Sequence, residues 1–295
     1  MPEIYQMSQL HIEITNLCNS RCIFCPHGLE LVKRRKEVMP NDLFFHIIDI
    51  CKREGIKDIR FGGLGEFLID PDLFIKARYI IDNSLTFRGL TTNGMLLTNE
   101  IAVKLFEVGL KRLVVSIDST DKTRYESIRR GLDFDTVMNN IWNLFLVSER
   151  FGNTMEINFN IAVMDDDHET RKKFIDKFKL IPNKNFSMLF IPIHNWGDFE
   201  HKNIDNALRQ PCSRLFKCSG PIARVDGTLS ICCMDYNNEC SLGKIEDSIL
   251  NLFNSDKMNY YRSKHLNSQW NDIPICKNCV DNIVNRLQPE LVNFF

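Results

Sequence analysis

The sequence lacks the features that direct a chain to a membrane or to a polyanion. No apolar stretch approaches the ~18 residues of a membrane-spanning helix. The first ten residues, MPEIYQMSQL, carry acidic and polar groups where a signal peptide needs a basic start and an apolar centre. The 37 basic and 38 acidic side chains nearly cancel, which disfavours general nucleic-acid binding. We therefore expect a cytoplasmic protein with no membrane partner and no nucleic-acid partner.

Internal repeats, low-complexity segments and long disordered linkers are also missing, whereas cysteine is abundant. With 44% hydrophobic and 25% charged residues the chain has the composition of a packed globular protein. Eleven cysteines in a reducing compartment indicate metal ligation or redox chemistry rather than disulfides. All but Cys51, which we expect to pack in an apolar helix, fall in three groups: 18, 22 and 25; 212, 218, 232, 233 and 240; 276 and 279.

Hydrophobic periodicity predicts strands alternating with helices. Strand-like runs occupy residues 10–15, 59–61, 86–92, 113–117, 155–163 and 188–193. The clearest helical pattern spans 134–151 with one apolar stripe, and others begin at Asn41, after Pro71, at Thr98 and at Asp165. The stripe consists of Phe134, Val137, Met138, Ile141, Trp142 and Phe145. This alternation predicts a parallel α/β fold with its active site at the carboxyl ends of the strands. From about residue 201 the sequence changes to short strand-like runs, turns and cysteines, and we place a domain boundary there.

Three thiols in the stretch C-N-S-R-C-I-F-C, residues 18–25, follow the first predicted strand directly. Three cysteines can hold three irons of a cubane cluster and leave the fourth iron open for a reactant. The spacing C-x3-C-x2-C, with the aromatic Phe24 before the third cysteine, resembles the radical S-adenosylmethionine (SAM) superfamily. In that superfamily the amino and carboxylate groups of SAM chelate the fourth iron. The alternatives are a zinc site or a chance cluster.

The resemblance implies a partial (β/α)6 TIM-like barrel over residues 10–200, after an N-terminal extension over 1–9, and it implies roles for residues beyond the cysteines. The run G-G-L-G-E, residues 62–66, is similar to the family's glycine-rich turn. In that turn Gly62 and Gly63 let the backbone approach the methionine end of SAM, and Glu66 takes its ammonium group. Alone, such a turn is a weak signal in any α/β protein.

Polar residues at the ends of the later strands extend this predicted SAM site. Asn93 lies near the mouth of the barrel, Ser116 resembles the family's ribose contact, and Arg129, preferred over Arg130, corresponds to an arginine that meets the SAM carboxylate. Asn160 shares a strand face with Asn158. For these two asparagines a structural role and a cofactor role are equally open, because the face can point to the barrel interior or to the helices.

The C-terminal cysteines carry a second signature, over residues 201–295. Fourteen residues separate Cys212 from Gly227, which is followed by Cys232 and later by the C-x2-C pair. This order resembles the auxiliary iron-sulfur domain called SPASM, in its short form called twitch. That form implies one [4Fe-4S] cluster held by Cys212, Cys232, Cys276 and Cys279. Four thiolates close its coordination, which suits electron transfer. A four-cysteine zinc ribbon is the alternative.

The remaining polar residues supply candidates for substrate chemistry. Cys240 is a candidate hydrogen-atom donor, and Cys218 or Cys233 is a candidate replacement for an auxiliary ligand, although ordinary packing fits all three. The segment 192–198 leaves the last strand at the mouth, where we expect His194, Asn195, Trp196 and Asp198 to contact substrate or to pack as a loop. The basic run 33–36 is either a solvated face or an anion clamp.

The resemblance implies cleavage of SAM to a 5′-deoxyadenosyl radical that removes hydrogen from an unreactive C–H bond. Total layout and cysteine spacing resemble the short-form aminocyclitol dehydrogenases, so we expect a dehydrogenase acting on a small polar sugar or aminocyclitol, with a flavodoxin- or ferredoxin-type electron donor. Alternatives are an epimerase with a cysteine donor and a peptide-modifying enzyme. A zinc-bound interaction module without enzymatic activity is the third class.

Overall fold

Six adjacent parallel strands form the barrel part of the central sheet, as the sequence predicted. The computed structural model describes residues 4–163, 168–181, 183–193, 196, 209–216, 220–280 and 290–293. The parallel strands lie side by side in chain order and are β1 (Gln9–Ile12), β3 (Asp58–Phe61), β4 (Thr86–Thr92), β5 (Arg112–Ser116), β7 (Glu156–Val163) and β8 (Phe186–Pro192). Their carboxyl ends therefore meet at one edge, where the loops that follow them carry the predicted site residues.

Helices alternate with these strands. The helices of this part of the chain are α1 (Asn41–Glu54), α2 (Leu73–Asp82), α3 (Asn99–Glu107), α4 (Lys122–Ile128), α5 (Phe134–Arg150) and α6 (His168–Phe178). Helix α3 begins where the side chain of Thr98 accepts a hydrogen bond from the amide of Ile101. The expected start of a helix at Asp165 lies outside the described residues.

The apolar stripe predicted for α5 is confirmed except at one position. Five of its six residues are buried against the sheet: Phe134, Val137, Met138, Ile141 and Phe145. Trp142 is 40% exposed and lies at the edge of the stripe, against Phe178 of α6. Its hydrophobic ring fits the periodic pattern of the stripe, but in the structure it packs beside a neighbouring helix and not in the core.

The two faces of the sheet have different chemistry. On β7 the ring of Phe159 packs against Phe145, Phe178 and Phe186, so this face meets the helices and carries the core. Asn158 and Asn160 alternate with it and lie on the opposite face, where both are half-buried. We call this second face the lumen face. The two asparagines therefore point toward the barrel interior, which the sequence had left open.

The C-terminal strands extend the same sheet at both edges. Strand β9 (Ile222–Ala223) pairs in parallel with β1, and β10 (Thr228–Ser230) and β11 (Ser241–Lys244) follow antiparallel. At the other edge β12 (Glu290–Asn293) pairs antiparallel with β8. Two further helices, α7 (Ile249–Phe253) and α8 (Asp256–Leu266), complete this region. The cysteine-rich region is thus hydrogen-bonded to the barrel sheet, and the boundary expected near residue 201 lies outside the described residues.

A buried ion network ties the barrel to this extension. The Glu13 carboxylate accepts hydrogen bonds from Arg224 at 3.0 Å, from Arg34 at 2.7 Å and from the amide of Leu64 at 3.1 Å. A buried charge without such partners would be strongly destabilising. Arg34 is therefore a structural residue, and the anion clamp considered for residues 33–36 is wrong for it. Its neighbour Arg35 is 85% exposed.

Among the described residues, no helix is both long enough and apolar enough to cross a lipid bilayer.

Candidate active site

The first cysteine group lies in a loop that is anchored by a short strand pair. Strand β2 (Arg21–Cys22) runs antiparallel to β6 (Arg129–Arg130), and this register sets Cys22 opposite Arg129. Cys18, Cys22 and Cys25 line one cavity of about 180 Å³, which we call the cluster cavity. The backbone pairing therefore brings all three thiols to the carboxyl edge of the sheet.

Arg129 is held on this cavity by a buried ion pair. Its Nε lies 2.7 Å from Oδ2 of Asp118, and its Nη1 lies 3.8 Å from the sulfur of Cys22. Burial opposes the charged form, but Asp118 and Cys22 outweigh it and raise the pKa of Arg129 above its usual value. Arg130 is exposed. The structure thus places Arg129, the residue preferred from the sequence, on the cavity as a permanent cation.

Glu66 lies on the same cavity and is almost fully buried. Its carboxylate accepts hydrogen bonds from the Thr92 hydroxyl at 2.7 Å, the Asn93 amide at 2.6 Å and the Leu68 amide at 3.3 Å. Burial raises the pKa of Glu66, and these three donors act against that rise. The orientation of the carboxylate is therefore fixed before any ligand binds, as expected for a group that receives an ammonium ion.

Most of the other predicted SAM contacts also line the cluster cavity. These residues are Phe24, Gly63, Asn93 and Ser116. Gly62 lies on a neighbouring cavity instead, and Asn160 lines neither of the two. Gly65, which the motif contained without a named role, has φ +102°, and a Cβ there would lie 2.6 Å from the carbonyl oxygen of Thr15. Only glycine fits this close approach of two chain segments.

Sequence reasoning missed several residues of the cluster cavity. They are Ser20, His27, Leu64, Gly65, Thr91 and Thr92. Their positions within or next to the motifs were the only available signal.

The thiols of the cluster cavity fit a cationic metal cluster. Burial raises the pKa of Cys18 to about 12 and that of Cys25 to about 11. Without a metal both remain protonated at neutral pH, so they become thiolates only when a cation compensates the buried charge. Three thiols, a fixed carboxylate and a fixed guanidinium on one cavity match the needs of an iron-sulfur cluster with an amino-acid ligand.

A second cavity of about 190 Å³ lies beside the first on the lumen face. It is lined by His11, Arg60, Gly62, Gly89, Val114, Cys233 and Met234, among others, and we call it the lumen cavity. Gly63, Thr91 and Trp196 line both cavities and form the wall between them. The Trp196 indole N–H donates to the carbonyl oxygen of Phe24 at 2.9 Å, which fixes this wall to the cysteine loop. Trp196 therefore lies where a substrate contact was predicted.

A third, narrow cavity of about 20 Å³ collects the second cysteine set. Its lining includes all four predicted auxiliary ligands: Cys212, Cys232, Cys276 and Cys279. Arg209 Nη1 donates to the carbonyl oxygen of Lys277 at 3.2 Å, and its Nη2 donates to those of Cys276 and Cys279. This guanidinium fixes the backbone of the C-x2-C turn. We call this space the auxiliary cavity.

His265 orients two of these cysteines through a defined tautomer. Its Nδ1 accepts a hydrogen bond from the Cys212 amide at 3.1 Å, so this nitrogen carries no proton. Burial and Arg209 lower the pKa of His265 to about 4, which keeps the ring neutral at pH 7. The proton therefore sits on Nε2, 3.4 Å from the Cys276 sulfur, and the N–H points at that sulfur.

The cysteines that were not predicted as cluster ligands lie in different parts of the structure. Cys232 faces the auxiliary cavity, whereas the next residue, Cys233, faces the lumen cavity and accepts a hydrogen bond from Arg214 at 2.9 Å. Cys240 is fully buried in the core and lines none of the three cavities, so its position does not support the predicted hydrogen-donor role. Cys218, His194, Asn195 and Asp198 lie outside the described residues.

Two family profiles match the chain. The radical SAM superfamily matches residues 12–177, and the iron-sulfur cluster-binding domain SPASM matches residues 222–280. The chain belongs to the radical SAM superfamily, and it is a radical SAM enzyme that uses SAM and [4Fe-4S] clusters. The SPASM match includes Cys232, Cys276 and Cys279 and begins after Cys212. Iron-sulfur chemistry replaces the zinc ribbon that the spacing alone had left open.

Solved structures with the same fold cover almost the entire chain. BtrN in complex with AdoMet and 2-DOIA has a TM-score of 0.66 and 17% identity, covering 97% of this chain and 98% of that one. Native anSMEcpe with bound AdoMet has a TM-score of 0.69 and 18% identity, covering 97% and 93%. SuiB of Streptococcus suis bound to S-adenosylmethionine has a TM-score of 0.63 and 14% identity, covering 88% and 68%.

Curated relatives match a shorter region at higher identity. The GTP 3′,8-cyclase of Clostridium botulinum is 34% identical over 140 residues, which cover 46% of this chain and 43% of that protein. The molybdenum cofactor biosynthesis protein moc-5 of Caenorhabditis elegans is 26% identical over 197 residues, 66% of this chain and 31% of that protein. The chain therefore spans less than half the length of these relatives.

Proposed function

We propose that the protein is a radical SAM oxidoreductase that oxidises a small polar substrate of the sugar or aminocyclitol type, with an auxiliary [4Fe-4S] cluster as electron acceptor. One observation carries the proposal: the lumen cavity lies between the other two. It shares Gly63, Thr91 and Trp196 with the cluster cavity and shares Met234 with the auxiliary cavity. A substrate there touches the walls of both cofactor sites.

The residues of the cluster cavity have distinct roles in this proposal. Cys18, Cys22 and Cys25 hold the first cluster, Glu66 binds the SAM ammonium group and Arg129 the SAM carboxylate. When bound and reduced by a flavodoxin- or ferredoxin-type donor, the cluster and SAM supply a 5′-deoxyadenosyl radical that takes one hydrogen atom from the substrate. Ser116 contacts the ribose, and Phe24 on the cluster cavity and Trp196 on the shared wall exclude water.

Oxidation of an alcohol to a ketone then requires loss of one proton and one electron. His11 is the only histidine on the lumen cavity among the residues that the structure describes. Burial lowers the pKa of His11, so its imidazole is neutral at pH 7 and can accept the hydroxyl proton. Cys212, Cys232, Cys276 and Cys279 would hold the auxiliary cluster, which would supply an acceptor for the electron. Hydrogen atom, proton and electron together account for the two-electron oxidation.

The structural relatives support a small-molecule substrate but also name peptides. The match to BtrN covers almost all of both chains, and the BtrN structure contains 2-DOIA. In contrast, anSMEcpe is described with the Kp18Cys peptide and SuiB with the precursor peptide SuiA. The volume of the lumen cavity, about 190 Å³, supports a ring-sized molecule over a longer peptide segment. We assign the barrel to residues 10–200 and the auxiliary domain to 201–295.

The test measures 5′-deoxyadenosine release from the anaerobically reconstituted protein with reductant and SAM. Aminocyclitols, amino sugars, nucleotide sugars and short peptides are compared with no substrate. We expect a sugar or cyclitol to stimulate release and to lose two mass units. Unchanged mass with incorporated solvent deuterium would instead establish an epimerase, and stimulation only by peptides would overturn the substrate class.

A further inference from the structure

We propose that the lumen cavity contains an oxyanion subsite built on Arg60, so that the substrate carries a phosphate or carboxylate group. The inference deepens the proposed function, because it assumes that the lumen cavity receives the substrate. It is carried by an unsatisfied cation on the cavity wall, by the charges behind it and by its distance from the cluster cavity.

Arg60 lies in the middle of the sheet, on β3, and lines the lumen cavity. Its Nε is buried and has no hydrogen-bond acceptor, and its guanidinium forms no ion pair with any residue that the structure describes. The side chain lies across β4 at Gly89, where a Cβ would be 3.6 Å from Nη1. Arg60 is half-buried, and a buried Nε without an acceptor is costly, which favours a role in binding an anion.

Two more arginines, Arg112 and Arg88, lie near Arg60 on the lumen face. Arg112 donates from Nε to Glu156 at 2.5 Å, and Arg88 lies 3.9 Å from the other oxygen of the same carboxylate. Burial, followed by the charges of Arg112 and Arg88, lowers the pKa of Arg60, while Asp58 and Glu156 act in the opposite direction. Three cations thus face two carboxylates, and a bound oxyanion would offset the excess positive charge.

The position of Arg60 fits the orientation that the reaction needs. Arg60 and Gly63 are three residues apart along β3 and the turn that follows it, or about 10 Å at ~3.3 Å per residue. Gly63 belongs to the wall shared with the cluster cavity. A sugar or cyclitol with its anionic group on Arg60 would therefore present its ring carbons to that wall. Arginine suits this role because its planar fork binds phosphate and carboxylate oxygens in pairs.

The test compares charged and uncharged ligands of one shape on the reconstituted holoenzyme with SAM. Isothermal titration calorimetry is run with myo-inositol 1-phosphate against myo-inositol, with glucuronate against glucose, and with inorganic phosphate alone. We expect at least one anionic member to bind about 10-fold or more tighter than its neutral partner, the worth of a charged hydrogen bond. The phosphate and carboxylate pairs show which oxyanion the subsite prefers.

Three variants assign the preference to Arg60. Arg60→Gln should abolish it and Arg60→Lys should retain part of it. Arg78→Gln, which removes an exposed arginine of α2 that pairs with Asp82, should leave it unchanged. Iron content and circular dichroism confirm that each variant is folded. Equal affinities within every pair, failure of all anions to bind, or a preference that survives Arg60→Gln would overturn the subsite.

The outcome is separable from that of the proposed function. If neutral sugars are oxidised and no anion preference exists, the subsite fails while the oxidoreductase proposal stands. If anions bind through Arg60 but only peptides stimulate 5′-deoxyadenosine release, the subsite stands while the proposed substrate class fails.

Discussion

The cluster cavity and the auxiliary cavity are both lined by cysteines, yet they are built for different tasks. The first has three thiols from one short loop in a space of about 180 Å³, together with Glu66, Arg129 and Ser116. The second has four thiols from distant segments in a space of about 20 Å³. The first leaves room for a reactant beside its thiols, whereas the second encloses a group that four thiols already saturate.

The polar groups around the thiols show the same contrast. In the cluster cavity the Glu66 carboxyl group and the Arg129 guanidinium are fixed by their neighbours and lie on space that a ligand can fill. In the auxiliary cavity His265 and Arg209 direct their N–H groups at a ligand sulfur and at backbone carbonyls. The first arrangement suits recognition of a molecule, and the second suits the support of a cluster, as we propose.

Cys22→Ala tests whether the two cavities load independently and should have the largest effect. We expect SAM cleavage to be abolished, because two thiolates do not retain the cluster, while the auxiliary cluster stays loaded. Iron and sulfide analysis with Mössbauer spectroscopy measures both. Cys51→Ala, which removes a buried thiol of α1, is the matched control. Equal loss of iron from both sites would contradict the division into two cavities.

Cys276→Ser removes a thiol of the auxiliary cavity and leaves the cluster cavity intact, the reverse of Cys22→Ala. We expect 5′-deoxyadenosine release to continue while formation of oxidised product falls to background, because the substrate then has no electron acceptor. The ratio of product to 5′-deoxyadenosine is the measurement. A ratio unchanged from that of the parent enzyme would show that the auxiliary cluster takes no part in the oxidation.

His11→Gln tests the region between the two cavities. We expect product formation to fall about 100-fold or more, the usual worth of a general base. Because burial lowers the pKa of His11, the parent enzyme should keep its activity as the pH falls to 6.5 and lose it only below that value. The variant should lack this acid limb in a kcat/KM profile. If the activity of the variant fell over the same acidic pH range as that of the parent enzyme, His11 would not be the general base.

Glu66→Gln tests ligand recognition in the cluster cavity. We expect SAM affinity to fall about 10- to 150-fold, which corresponds to ~1.5 to 3 kcal/mol for a hydrogen bond to a charged group. Glutamine keeps the shape of the side chain and its hydrogen bonds to Thr92 and Leu68 but loses the acceptor of the Asn93 amide, so iron content and circular dichroism check that the variant is folded. Equilibrium dialysis with labelled SAM measures the change. Unchanged affinity would exclude the ammonium contact.

His265→Phe tests the tuning role in the auxiliary cavity and should have the smallest effect. Loss of the N–H directed at the Cys276 sulfur should make the reduction potential of the auxiliary cluster more negative, because that hydrogen bond stabilises the reduced cluster. Potentiometric titration followed by electron paramagnetic resonance measures the shift. His46→Phe, on an exposed position of α1, controls for loss of a histidine far from the cavity. A potential equal to that of the parent would show that the hydrogen bond has no electronic effect.

The fold was largely predictable because its signals are local. Each of the six parallel strands lies within two residues of its predicted start, and Thr98 caps α3 as expected. The pairing of β9 with β1 was not predictable, since a two-residue strand has no periodicity to detect. Trp142 was misplaced because its hydrophobicity fits the stripe while its neighbours in space decide its exposure.

The site was predictable only where a motif is contiguous. The spacing of the cysteine loop is specific, and Glu66 and Arg129 could be predicted to share its cavity only by the family resemblance that this loop established. His11 and Arg60 were missed, since a single histidine or arginine within a strand has no sequence signature. Cys240 was chosen over Cys233 by position in the chain, and the fold then buried Cys240 in the core and turned Cys233 toward the lumen cavity.

By itself the sequence determined which atoms are available: seven candidate cluster thiols, a glycine-rich turn with its carboxylate, and the alternation that makes a parallel sheet. The tertiary structure alone decided which of these atoms share a cavity. Strand register placed Cys22 against Arg129, and extension of the barrel sheet placed Met234 between the lumen and auxiliary cavities. The reason is physical: spacing along the chain fixes local geometry, whereas adjacency across a sheet depends on which strands pair.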